Sequence, residues 1–458
     1  MAGGDLRRER PGAFEVGGRS LGHWFDALAM LRRFRVRDGS VAYANRYVRS
    51  RDFAFARERG RVRTPFPGAP SDRPLPIRLW QALDGEVIDN PATGVARMGG
   101  EYLAVTESPW GLAFDPDTLD VRGRRDLTAG LDADLTLGHL HYAPDEAAFY
   151  NLAATYGRGR ATGYTLFRRP AGSDGPADPE PLARIRVDRP YLPYVHSFGL
   201  TERYAVVPLL PFGVAPRSLL AGAARKRTFI DAFGGFDDPG RLVVLDRRTG
   251  ERVASAPVDP FFVYHHANAY ETDAGRGVVV DCVAYPDERA VTGLTLENLR
   301  RASPDVPAGD LVRLRVDLDA DRAERRVLHA GPVEFPAVHY RRYNGRPQRH
   351  VWLGEVESGP LPTRLARVDV RGGGVSRYDP GPATFPGEPT FVPRPDPDGE
   401  ADGVVLSVVL DAGADRSVLV VLDAESMAEL ARAPLPHRLP YGFHGQFYAA
   451  TDPARSVH

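Results

Sequence analysis

Four histidines stand far apart in the chain in similar settings. They are His139 in LTLGHLHYAP, His196 in LPYVHSFGLTERYAVV, His265 in FFVYHHANAYE and His444 in LPYGFHGQFYAA. Each lies in an apolar or aromatic stretch with strand character. Imidazole is the commonest metal ligand and also a common buried group, so one such histidine is ordinary core. Four of them suggest a shared metal. His265 and His266 are adjacent, and on a strand only one of two neighbours points to a given interior. His139 and His141 form an HxH, for which a two-histidine clamp is the competing reading. There is no HExxH, CxxC or GxSxG. An all-imidazole site suits Fe, Cu, Ni or Zn, and a single thiol, Cys282, argues against a soft-metal site.

Ligating histidines usually give their second N–H to a carboxylate or carbonyl. Three glutamates sit in apolar surroundings where an unpaired charge is costly: Glu107 in YLAVTESPWG, Glu334 in GPVEFPAVHY and Glu388 in TFPGEPTFVP. The bland alternative is a surface or turn carboxylate.

Residues so scattered need a fold that converges them. Seven stretches read as hairpins: 34–48, 112–124, 164–187, 242–258, 311–330, 364–379 and 418–435. Their turns carry DG, RTG, GGG or DPDT, which supply positive or preset φ. A β-propeller repeats four-stranded blades and brings the inner strands to one axis. Seven hairpins suit an all-β, seven-bladed ring; a pair of β-sandwiches is the alternative. The 47 glycines and 41 prolines fit many turns between short strands.

The remaining composition mainly excludes. With 458 residues and a formal charge of −1, the chain has no global basic field for nucleic acid. Arg122, Arg124 and Arg125, and the run Arg225, Lys226 and Arg227, read as solvated faces. Cys282 in GVVVDCVAY reads as a buried thiol. We expect no secretory signal and no transmembrane helix. Segment 208–238 breaks the strand rhythm with an apolar cluster from Leu209 to Leu220, followed by three cations. It reads either as a membrane-surface patch or as a loop packed on its own domain.

At these residues the sequence resembles the carotenoid cleavage oxygenases, a family that includes the vertebrate retinoid isomerase of the pigment epithelium and bacterial apocarotenoid and stilbene cleavers. The resemblance runs from GHWFDALAML (22–31) to GFHGQF (442–447). Its strongest pieces are YVHSFGLTERYAVV, YHHANAYE, GEPTFVPRPDPDGEADGVVLSVVLD and GFHGQF. The chain departs from the family at Ala27, where Gly is usual, and at Leu140, where Pro is usual. The resemblance implies one domain over 1–458, a seven-bladed propeller with a cap of loops and helices over its top face. It implies Fe(2+) on the axis, held by His139, His196, His265 and His444. Glu107 would orient His196, Glu334 would orient His265, and Glu388 would orient His444. His139 would lack a carboxylate partner, and His266 would pack behind the site. Thr93 in NPATGV is similar to a threonine near the open iron position.

The implied reaction is O2-dependent cleavage of a conjugated C=C in an apolar carotenoid or apocarotenoid, giving two carbonyl products. Trp110, Tyr194, Phe262, Tyr264 and Phe443 are candidates for an aromatic tunnel. A stilbene cleaver on the same iron, a polyene isomerase and a non-catalytic propeller are the rival readings. A polyene must arrive from a bilayer, which motivates the membrane-surface reading of 208–238 beside the packed-loop one. The expected location is the cytoplasm, peripheral at the inner membrane surface.

Overall fold

In the computed structural model, residues 4–449 are described except 85, 158–161, 172–176 and 358. Among them, seven antiparallel sheets of four or five strands follow one another along the chain. Each expected hairpin supplies the third and fourth strands of a different sheet. The first is Leu28–Arg37 with Ser40–Tyr47, joined through Asp38 and Gly39, both at positive φ. That turn matches the right-handed twist of its flanking strands. The outermost strands alternate in exposure, as in Val121–Asp126, because one face packs on the next blade and the other meets water.

We number the blades from the N-terminus. Blade 1 joins the chain's two ends: the innermost strand Gly445–Ala449 pairs with Gly4–Ala13, with Arg8 directly opposite Gly445. Closure removes the open edge that a linear array would leave. Facing blades are sealed by apolar side chains. Trp352 of blade 6 is fully buried, stacks on Phe391 of blade 7 at 4.4 Å, and donates its indole N–H to the Ala424 carbonyl at 2.8 Å. The last contact matters because a buried indole N–H without an acceptor is costly.

Helices cover the top face: α1 (Arg51–Arg59), α2 (Leu75–Asp84) and α3 (Pro216–Arg225). Ser50 caps α1 by accepting from the Phe53 N–H at 3.0 Å. Arg78 of α2 donates to the Ala223 and Ala224 carbonyls at the C-terminal end of α3 (3.0 and 3.3 Å), where a cation is favoured. The Ile230 N–H donates to the Pro67 carbonyl at 2.9 Å, so the two cap segments are stitched together.

Segment 208–238 is not one exposed patch. Leu209, Leu210, Phe212 and Val214 are buried, and Leu219 packs half-buried against the core. The side chain of Leu220 lies outside the described residues. Arg225, Lys226 and Arg227 are exposed. The exposed large apolar side chains of the cap belong instead to α2: Leu75, Trp80 and Leu83.

Candidate metal centre

The four histidines converge on the axis. Their ligand-capable atoms all lie within 4.8 Å of one another. His139 is the hub, with ring centroids 4.6, 5.0 and 4.5 Å from those of His196, His265 and His444. Only His265 lies inside a strand, Phe262–Thr272. His139, His196 and His444 stand in irregular backbone beside short inner strands, contrary to their strand-like sequence. Even at His265 the pairing register shifts between Val263 and His266. A bulge re-aims a side chain where regular alternation cannot.

Every blade contributes one group. Blades 1, 3, 4 and 5 supply His444, His139, His196 and His265. Blades 2, 6 and 7 supply Glu107, Glu334 and Glu388. The carboxylates receive the Nδ1–H of three imidazoles: His196 to Glu107 at 2.5 Å, His265 to Glu334 at 2.6 Å and His444 to Glu388 at 2.8 Å. Each bond fixes the tautomer and leaves the Nε2 lone pair for a metal. His265 Nε2 is buried with no hydrogen-bond partner, an orphan that a cation would satisfy.

The electrostatics agree. Burial pushes the Glu388 carboxyl upward, but His444, Arg8 and the Gly445 N–H overcome it and bring it down to about 2. Glu334 is likewise held below its ordinary value: burial opposes the shift, while His265 and the Phe335 N–H carry it. Burial keeps His444 below the usual imidazole range against the pull of Glu388, so its ring is neutral and can ligate. Four imidazoles backed by three carboxylates fit ferrous iron.

Beneath the histidines lies a second tier. Ser197 donates to the Tyr264 carbonyl at 2.5 Å, so its oxygen is left to accept from His266 Nδ1–H at 2.7 Å. His141 faces the Phe198 carbonyl through Nε2 at 2.8 Å, so its Nδ1 accepts from the Tyr340 hydroxyl, also at 2.8 Å. Both nitrogens of His141 are engaged, so the His139–His141 clamp does not form. Burial depresses His141 to about 4 and His266 to about 3, and both are neutral. These bonds tie the neighbours of His139, His196 and His265 to one another. His266 thus packs behind the site.

Above the histidines opens a cavity of about 740 Å³, walled by the blade tops and the cap. Tyr194, Tyr264 and Phe443 reach its wall. Phe262 sits behind, 4.7 Å from the Tyr264 ring and 1% exposed. Trp110 lies away from the cavity, with the Arg124 guanidinium 3.7 Å over its ring. Tyr194 also donates its hydroxyl to Glu107 at 2.7 Å. Thr93 lines the cavity, its Oγ1 3.0 Å from that of Thr106. Its methyl would lie 2.8 Å from a Cβ on Gly138, so a side chain before His139 would have to displace Thr93.

Phe335 was not legible from sequence. It is buried at φ +56°, a strained conformation for a bulky residue. That conformation turns its N–H onto Glu334, and its ring stacks on His265 at 5.7 Å. Glu334 beside an aromatic ring was the available hint; the backbone angle was not.

The family model for retinal pigment epithelial membrane protein matches residues 1–449. The chain is 31% identical to carotenoid isomerooxygenase of Galleria mellonella, over 97% of this chain and 90% of that one. It is 32% identical to carotenoid cleavage dioxygenase 8 homolog A of Oryza sativa subsp. japonica, over 98% and 83%. It is 29% identical to β,β-carotene 15,15'-dioxygenase of Mus musculus, over 98% and 87%. Cobalt-substituted Synechocystis apocarotenoid oxygenase superposes with a TM-score of 0.84 at 24% identity, covering 98% of this chain and 94% of that one, a likeness of fold. The chain belongs to the retinal pigment epithelial membrane protein family, the carotenoid cleavage oxygenases.

Proposed function

We propose that this protein is a non-haem Fe(II) dioxygenase that cleaves a conjugated C=C of a carotenoid or apocarotenoid. One O2 supplies both oxygens, and the two alkene carbons leave as two carbonyl products. The observation that carries this reading is the four-histidine, three-carboxylate centre at the wall of a 740 Å³ apolar cavity. Relatives whose names specify carotenoid cleavage or isomerooxygenation support the substrate class.

His139, His196, His265 and His444 would hold the iron, and the three carboxylates would orient the rings of His196, His265 and His444. When bound, the iron would supply O2 activation. The protein does the rest by positioning. The cavity wall excludes water and holds the polyene against the histidines, with Tyr264, Phe335 and Phe443 as aromatic surface. Thr93 stands beside Gly138 and limits what fits next to His139. No side chain is needed as a general acid or base, because no proton is gained or lost between alkene and carbonyls. The same reading takes the ring as one functional domain, since the centre draws on every blade.

A polyene partitions into bilayers. Among the described residues no helix is long and apolar enough to cross a membrane. The reading assigns uptake to a peripheral contact made by α2 and α3. Leu75, Trp80 and Leu83 are 46%, 56% and 64% exposed on α2, and Arg217, Arg225 and Lys226 lie exposed on or beside α3. An apolar face rimmed by cations suits an anionic lipid surface, and the cytoplasmic face of the inner membrane is the location that fits. Trp80→Ser with Leu83→Ser should reduce flotation with anionic liposomes; undiminished flotation would remove α2 from the contact.

The test of the reaction is to load the protein with Fe(II) without oxygen, then add O2 with β-carotene, apocarotenals, hydroxylated carotenoids or a hydroxystilbene. Paired aldehydes that need both iron and O2 are expected from the polyenes. Turnover confined to the hydroxystilbene would replace the substrate class, and isomerised polyene without O2 uptake would replace the reaction.

A further inference from the structure

The seven groups at the axis do not balance in charge. Three carboxylates exceed a ferrous ion by one negative charge. Glu107 is met by the Tyr194 hydroxyl, and Glu334 by the Phe335 N–H. Among the described residues, Glu388 alone of the three has a buried cation beside it. Arg8 is 0% exposed, and Glu388 is the carboxylate that acts most strongly on it. Its Nη2 donates to the Glu388 carbonyl at 2.6 Å and to Thr390 Oγ1 at 2.8 Å. Its Nε and Nη1 are buried without hydrogen-bond partners. A guanidinium stays charged in proteins, and burying one without a counter-charge is expensive. The guanidinium touches Glu388 through the backbone carbonyl, and it acts on the carboxylate through space.

Arg8 reaches this position through ring closure. It lies on Gly4–Ala13 opposite Gly445, the residue after His444. A Cβ on Gly445 would stand 2.1 Å from Arg8 Cγ, so the glycine of GFHGQF leaves the channel through which Arg8 passes. Glu388 meanwhile spans His444 Nδ1 at 2.8 Å and the Gly445 N–H at 2.9 Å. Arg32, beside Arg8 in register, donates to the Pro440 carbonyl at 3.5 Å.

We propose that Arg8 is a positioning residue of the metal centre: a buried cation that anchors the backbone of Glu388 behind His444 and offsets the excess negative charge so that the iron is kept ferrous. This rests on the iron reading above. Net charge and burial set the potential of an iron site, and a fixed positive charge nearby disfavours the ferric ion more than the ferrous one.

The test uses full-length, iron-loaded protein and reads iron content, the Fe(III)/Fe(II) midpoint potential, the rate of autoxidation in air and the melting temperature with and without metal. Arg8→Met should lower the midpoint potential and speed autoxidation several-fold. Arg8→Lys, which keeps the charge and loses the fork, should stay near the wild-type potential. The Arg8→Met/Glu388→Gln double variant should recover melting temperature in the metal-free protein, and potential in the loaded one, relative to Arg8→Met. If Arg8→Met does not accumulate folded, the double variant should. An unchanged potential in iron-replete Arg8→Met, an equal shift in Arg8→Lys, or a double variant no better than Arg8→Met would each overturn the proposal. Wild-type protein that takes up no iron overturns the metal reading and the redox half of the proposal; the metal-free melting cycle still decides whether Arg8 and Glu388 are paired.

Discussion

The two sides of the histidine cluster are built differently. Above it is a wide cavity lined by aromatic and aliphatic side chains. Below it Ser197, His266, His141 and Tyr340 form a short-range hydrogen-bonded tier, and none of these four lines the cavity. An apolar wall holds by contact area and tolerates changes of shape. A buried polar tier holds by direction, and each unmet group is costly. On the proposed function the difference separates two tasks: ligand geometry is set from beneath and around, while substrate choice is set from above.

That separation can be broken by experiment. The largest effect is expected at the carboxylates. Glu334→Gln should reduce iron retention about 10–100-fold, measured by metal content after dialysis against a chelator, with turnover falling in step. Retention equal to wild type would remove Glu334 from the centre.

Ser197→Ala should come next. It strips the partner of His266 Nδ1 and should lower stability by about 1–3 kcal/mol. It should also alter the d–d spectrum of the Co(II)-loaded protein, although Ser197 touches neither metal nor substrate. A destabilised variant with an unchanged spectrum would make the tier purely structural.

From above, Phe229→Leu should change substrate preference while leaving iron content alone. Phe229 lines the cavity and packs 6.1 Å from Tyr194 and 5.8 Å from Phe233. Loss of iron in this variant would merge the two tasks that the structure separates.

The smallest effect lies away from the axis. Asp52 and Asp89 are buried, and each accepts the other's backbone N–H, at 2.8 and 2.9 Å. Burial first, and Asp89 second, push Asp52 up to about 7. The folded state therefore holds a proton that the unfolded chain releases near pH 4. The stability that this proton supplies is complete below pH 4 and declines as pH rises towards 7. Asp52→Asn keeps a donor in place of the proton. Its melting temperature should match wild type near pH 4 and exceed it at pH 8, by an amount corresponding to about 1 kcal/mol or more. A difference independent of pH would mean the pair does not share a proton.

Much of this architecture could be read before any coordinates. The seven hairpins carry their own turn chemistry and strand alternation, and each became the outer half of a blade. The ligand histidines and their three carboxylates stand in short, unusual contexts, and their pairing follows the resemblance. Trp110 and Phe262 show the limit of that reading. An aromatic residue in a strand has the same local signature on a cavity wall, in the core or under an arginine. Segment 208–238 shows it again, since composition does not say which of its apolar residues the fold consumes. The exposed face fell to α2, which sequence periodicity had not singled out.

Local chemistry is what the sequence by itself determined: turns, alternation, and residues whose types are costly to bury without a partner. The tertiary structure alone decided what those costs were set against. Arg8 and Glu388 are 380 positions apart, and nothing near either names the other. They meet because the first long strand closes the ring beside the last. Phe335 adopts a strained backbone because a carboxylate and an imidazole on separate blades must be brought into line. Distances across the axis depend on how seven sheets pack together, and that sum over the whole chain is not written in any stretch of it.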